Sequence, residues 1–110
     1  MIDCDAHILE PATLWEEYLE ERYRDRAIRI TEVGGKERLI IGNQVVLEGA
    51  VAGLGGAEAD KTALFSGRLS YRRDNPDDSF DGHARLRRMD EWGITKAIIF
   101  PTICILPLPT

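Results

Sequence analysis

Cysteine pairs, basic clusters, phosphate-binding glycine motifs and long apolar runs are all scarce or missing in this sequence. Each gap removes a class of function. The only cysteines are Cys4 and Cys104. No C-x-x-C spacing exists, so no thiolate metal site is expected. Both lie in apolar, strand-like surroundings and are expected as reduced, packed thiols of a cytoplasmic protein. No apolar run approaches the ~18 residues of a membrane span. No basic segment with an apolar stretch behind it opens the chain, so no secretory signal is read. Acids outnumber bases, 19 to 14, for a net charge of -5. Arg68, Arg72 and Arg73 are interleaved with Asp74, Asp77 and Asp78. Such a surface offers no basic stripe to nucleic acid or to an anionic membrane. Residues 48–66 are rich in glycine (Gly49, Gly53, Gly55, Gly56), but neither dinucleotide nor P-loop spacing occurs, and Lys61-Thr62 stands at the wrong distance. A mobile loop is expected there instead.

What remains is an ordinary globular composition, 44% hydrophobic and 30% charged over 110 residues. It suits a single domain with a modest core. The informative stretch is the opening one, Met1-Ile2-Asp3-Cys4-Asp5-Ala6-His7-Ile8-Leu9-Glu10-Pro11. Residues 1–7 read as a short buried strand. Alternate side chains share a face in a strand, so Asp5 and His7 project together from its C-terminal end. A carboxylate beside an imidazole can hold a divalent metal such as zinc, although zinc usually takes three or four protein ligands. The plainer reading is a polar pair capping a strand. Asp3 would share their face unless the register breaks between Asp3 and Asp5, and a structural role is expected for it. Glu10 has two readings, one beside a substrate or a metal's ligands, the other favouring the adjacent helix N-terminus electrostatically.

Further along, the spacing predicts a helix over 11–25. It opens with Pro11 or with a Thr13–Glu16 capping box. Leu14, Trp15, Tyr18, Leu19 and Tyr23 form its apolar stripe, and Glu16, Glu17, Glu20 and Glu21 its solvated face. Residues 27–47 read as a β-meander turning at Gly34-Gly35 and at Gly42-Asn43. Residues 48–78 read as loop, the polar part carrying a turn at Asn75-Pro76-Asp77-Asp78. A helix over 79–92 is capped by Ser79 or Asp81, buries Ala84, Leu86 and Met89, and stops at Gly93. His83 opens it as a surface histidine. The run Lys96-Ala97-Ile98-Ile99-Phe100 fits a parallel strand buried on both faces, ended by Pro101. Strand, helix and parallel strand make a βαβ unit. The apolar tail, 103–110, is expected to lie exposed, and exposed apolar edges invite association.

The opening Ile2-Asp3-Cys4-Asp5-Ala6-His7-Ile8-Leu9-Glu10-Pro11 resembles that of the amidohydrolase-related family. So do Leu14-Trp15-Glu16-Glu17-Tyr18-Leu19 and Tyr23-Arg24-Asp25-Arg26-Ala27 leading into Arg29-Ile30. A fourth stretch is Arg85-Leu86-Arg87-Arg88-Met89-Asp90-Glu91-Trp92-Gly93-Ile94, leading into Ala97-Ile98-Ile99-Phe100-Pro101-Thr102. That branch includes aminocarboxymuconate-semialdehyde decarboxylase and the resorcylate decarboxylases. The resemblance covers most of residues 1–102, whereas Ile103 to Thr110 depart from it. It implies an α/β fold: the N-terminal fragment of a (β/α)8 TIM-like barrel, whose full form needs ~250 residues. It also implies a zinc or manganese ion held by Asp5 and His7, with a further His and Asp on later strands absent from these 110 residues. The implied activity is hydrolysis, or non-oxidative decarboxylation of a small carboxylate or cyclic substrate. The expectation for this chain is a truncated barrel piece, inactive alone. The alternative is a non-catalytic fragment that associates with itself or a partner through open strand edges.

Overall fold

The computed structural model describes residues 1–55 and 61–106. The fold is mixed α/β, with one parallel and one antiparallel sheet. Strand β1, Ile2–His7, leads into a short helix α1, Leu14–Tyr18, and a 3-10 segment, Glu21–Arg26. Strands β2 (Ile28–Val33), β3 (Lys36–Ile41) and β4 (Gln44–Glu48) form an antiparallel meander. A 3-10 turn Val51–Gly55, a short helix α2 (Lys61–Phe65) and a 3-10 turn Asp77–Ser79 precede helix α3, Gly82–Trp92. Strand β5, Lys96–Phe100, then pairs in parallel with β1, and a 3-10 turn Ile103–Ile105 follows it.

Local chemistry accounts for most boundaries. Gly34 and Gly35 both take positive φ, as the tight β2–β3 turn requires. Asp81 caps α3, its carboxylate accepting the Ala84 N–H, while Ser79 lies in the preceding turn. At the other end Gly93 is left-handed, and the Ile94 N–H reaches the Met89 carbonyl at 2.8 Å. This six-residue closure is the glycine-dependent helix stop.

The first helix departs from expectation. It breaks at Leu19 and Glu20, whose ψ angles of 136° and 142° are extended. A continuous helix would set Glu16 over Glu20 and Glu17 over Glu21, and like charges four apart are destabilising. Arg24 Nε instead donates to the Leu19 carbonyl left free at the break. Thr13 occupies the N-cap position without a side-chain cap bond, so the capping box does not form. Trp15 and Leu19 are half-buried, whereas Tyr18 and Tyr23 face solvent.

The core lies around the meander rather than around the parallel pair. Leu9, Ile28, Leu39, Val51, Tyr71 and Ile103 form it, with Trp15, Ile30, Ile41 and Phe80 packed against it. Segment 48–78 is therefore not a plain loop. Val51 and Ala52 are buried in a 3-10 turn, and Tyr71 is fully buried. Gly55 is required where it stands, because a Cβ there would overlap the Asn75 side-chain oxygen and a Leu9 methyl. Residues 56–60 of the glycine-rich stretch lie outside the described residues, as do 107–110 of the tail. Of the tail's described part, Ile103 is fully buried, against expectation.

Strands β1 and β5 are not buried on both faces. Ile98, Ile99 and Phe100 are exposed, and each strand keeps one unpaired edge among the described residues. Cys4 and Cys104 are exposed rather than packed. Leu86, placed inward from its spacing, faces solvent, while Ala84 and Met89 are half-buried. No described helix is long and apolar enough to cross a membrane.

Candidate functional site

Parallel pairing runs from Ile2 opposite Lys96 to His7 opposite Phe100, so both strands end together. The register breaks once between Asp3 and Ala6, where β1 carries one residue more than β5. This bulge separates Asp3 from Asp5. The Asp3 carboxylate folds back to accept the Asp5 N–H at 3.0 Å. That satisfies a donor left unpaired by the bulge and removes Asp3 from the site.

Asp5, within the bulge, and His7, just beyond it, converge. His7 Nε2 lies 3.6 Å from Asp5 Oδ1. The other ring nitrogen, Nδ1, faces the Pro101 carbonyl at 3.3 Å, and the ring leans on Phe100 with centroids 5.9 Å apart. Both ring nitrogens face acceptors, but Asp5 Oδ1 at 3.6 Å is beyond hydrogen-bond reach of Nε2, whereas the Pro101 carbonyl is within reach of Nδ1. The one hydrogen bond this geometry makes is therefore Nδ1–H to Pro101, with Nε2 turned toward Asp5. Metal-binding histidines are held in just this manner, with the distal N–H on a carbonyl or carboxylate. Two ligand atoms ~2.0–2.1 Å from a tetrahedral zinc lie ~3.3 Å apart. The observed spacing thus fits two corners of such a site after a small adjustment. As a bare ion pair the contact contributes little, because Asp5 is 89% and His7 42% exposed at the side chain. Among the described residues no third His, Cys, Asp or Glu joins them.

Glu10 is elsewhere. It is 5% exposed and does not cap the helix that follows it in sequence. Its carboxylate accepts three backbone N–H groups from across the molecule: Thr102 at 3.1 Å, Ile103 at 2.9 Å and Cys104 at 3.1 Å. These are the free donors at the start of the Ile103–Ile105 turn, and an anion is stabilised there. The Glu10 backbone carbonyl accepts from the Tyr71 hydroxyl at 2.8 Å. Burial, then the charge of Glu10, then Cys104, push the Tyr71 phenol upward. The thiol of Cys104, an exposed residue, is also raised, by partial desolvation first and then by its hydrogen bond to Glu10 and that group's charge.

Arg85, Pro101 and Thr102 also serve this end of the sheet. Arg85 donates to the His7 carbonyl, and Thr102 Oγ1 to the Ile8 carbonyl at 2.6 Å. Their roles depend on tertiary placement, and no local spacing announces them. His83 stays on the exposed start of α3, far in sequence and environment from the pair. An apolar groove of about 740 Å³ lies between Trp15, Leu19 and Tyr23 on one side and Ile28, Ile41 and the Gly42-Asn43 turn on the other. Asp5, His7 and Glu10 do not line it. No family model and no curated protein matches the chain.

Proposed function

We propose that this chain is the opening unit of a (β/α)8 barrel of amidohydrolase type. In that reading Asp5 and His7 are two ligands of a catalytic divalent metal, zinc or manganese, and the protein is a metal-dependent hydrolase or non-oxidative decarboxylase. The substrate is a small carboxylate or cyclic molecule. One observation carries the reading: Asp5 and His7 meet at 3.6 Å at the C-terminal end of a parallel strand. Barrel enzymes place their sites at that end. The sequence resemblance supports it, and so does the apolar face of β5, which further strands of a barrel would cover.

A bound metal would acidify a water or polarise the substrate's carboxylate or carbonyl. The chain's own part is to supply one oxygen from Asp5 and one nitrogen from His7. Pro101 fixes the ring, and Asp3 fixes the bulge that aims Asp5. Two ligands leave an ion mostly hydrated, so this chain alone is inactive and binds metal weakly. We place it in the cytoplasm, where Cys4 and Cys104 stay reduced.

Titration calorimetry with zinc tests this. One weak site is expected in the wild type and none in His7→Ala or Asp5→Asn. Equal binding in all three proteins rules the reading out.

A second reading rests on Ile98, Ile99 and Phe100, exposed beside an unpaired strand edge. Here the chain is a non-catalytic fragment that associates with another copy through β5. Zinc binding that His7→Ala abolishes favours the enzyme. Concentration-dependent dimers without zinc binding favour the fragment.

A further inference from the structure

The bonds around residues 100–104 share a geometric consequence. A trans peptide is planar, with its N–H and C=O pointing in opposite directions. Pro101 and Thr102 are joined by one such unit, and no cis bond occurs among the described residues. At one end of this unit the Thr102 N–H donates to Glu10 Oε1 at 3.1 Å. At the other end the Pro101 carbonyl faces His7 Nδ1 at 3.3 Å. Glu10 and His7 therefore hold opposite ends of a single peptide plane. Rotation of that plane would break both bonds together.

The plane is well anchored on the Glu10 side. The same carboxylate takes the Ile103 and Cys104 N–H groups. Thr102 is tied again through its hydroxyl to the Ile8 carbonyl, and the Ile8 N–H bonds the Phe100 carbonyl at 3.1 Å. Hydrogen bonds from N–H groups to an ionised acceptor are about twice as strong as neutral ones. The His7 side is the weaker, with a long 3.3 Å contact at a half-exposed ring. The stronger end sets the plane and the weaker end follows it.

We propose that Glu10 is a positioning residue for His7. By pinning the Thr102 N–H it aims the Pro101 carbonyl at Nδ1, selects the Nδ1–H tautomer, and leaves the Nε2 lone pair facing Asp5. The claim about the tautomer stands on the hydrogen bonds alone; its consequence for metal affinity rests on the function proposed above.

Long-range ¹H–¹⁵N spectra of uniformly labelled protein at slightly alkaline pH read the tautomer directly. His83 is the only other histidine and serves as the internal control. The wild type is expected to show His7 protonated at Nδ1. In Glu10→Gln the charge is lost and one acceptor oxygen becomes an NH2 group facing a backbone N–H, so the pin on the Thr102 N–H loosens and the His7 signals are expected to move toward the Nε2–H form. Those of His83 stay in place. A residue that only staples the turn would lower stability and leave the His7 tautomer unchanged. Zinc affinity is expected to fall about tenfold in Glu10→Gln, as for other groups that orient a metal's ligands.

An Nε2–H tautomer in the wild type overturns the proposal, and so does an unchanged His7 pattern in folded Glu10→Gln. Should that variant not fold, the wild-type spectrum decides: Nδ1–H supports the proposal and Nε2–H overturns it. Failure of the wild type to bind zinc refutes the metal reading and leaves the tautomer result standing.

Discussion

Glu10 and Ile103 are 93 positions apart in the sequence and 2.9 Å apart in the fold, joined carboxylate to backbone N–H. The bond is one of three that close the chain on itself, tying the loop after β1 to the turn after β5. Removing the carboxylate leaves three turn donors without their acceptor, two of them part-buried and one buried. A hydrogen bond to a charged group contributes ~1.5–3 kcal/mol. Glu10→Ala is therefore expected to lose about 3 kcal/mol or more of unfolding free energy, and Glu10→Gln less. Urea denaturation followed by tryptophan fluorescence measures both. A loss under about 1 kcal/mol in Glu10→Ala would show that water replaces the carboxylate at little cost.

Tyr71 gives a prediction in pH. Its phenol is raised above the ordinary value of about 10, chiefly by burial. Below pH 10 the phenol is neutral in both folded and unfolded chains, and its stabilisation is fully present. Above pH 10 the unfolded chain ionises and the folded one does not, so stability falls as pH rises toward the folded value. The slope from one such group reaches about 1.4 kcal/mol per pH unit. Tyr71→Phe removes that slope. It also removes the bond to the Glu10 carbonyl, at about 1–2 kcal/mol near neutral pH. Stability curves from pH 8 to 11.5 are expected to start lower for Tyr71→Phe and decline less steeply. Parallel curves would mean that Tyr71 ionises equally in both states.

The exposed face of β5 gives a third. Ile98 is 55% exposed, so Ile98→Lys should cost within about 0.5 kcal/mol. A lysine at an open strand edge opposes pairing with another chain. Sedimentation velocity over a hundredfold concentration range is expected to show wild-type self-association that Ile98→Lys reduces. An identical profile for both proteins would remove β5 as the contact.

The meander turns and the two ends of α3 were the most legible parts of the sequence, because single residues determine them, whereas both ends of α1 depart from expectation. Gly34-Gly35, Asp81 and Gly93 each do what their own backbone or side-chain chemistry dictates. The convergence of Asp5 and His7 was legible for the same reason, as strand alternation is local. What periodicity hid was tertiary. Tyr71 sits in Arg68-Leu69-Ser70-Tyr71-Arg72-Arg73-Asp74, where a lone aromatic among charges gives no period, yet it is fully buried. The first helix satisfied an apolar spacing while stacking like charges four residues apart, and it breaks at Leu19 and Glu20. Glu10 had two sequence readings, beside a substrate or metal and beside the adjacent helix N-terminus, and neither pointed to the turn at 102–104. Its partners at 102–104 are brought near only by parallel pairing of strands from opposite ends of the sequence. The exposure of β5 has a similar origin: its apolar run matches a strand covered on both faces, and within the described residues it has one strand neighbour.

Whether Asp5 and His7 act together as metal ligands is tested most directly by zinc titration followed at the His7 ring nitrogens. The expected result is a saturable shift of the His7 Nε2 resonance that fits one weak site, with His83 unmoved and the effect lost in Asp5→Asn. Equal shifts at both histidines, or a His7 shift that survives Asp5→Asn unchanged, would contradict it.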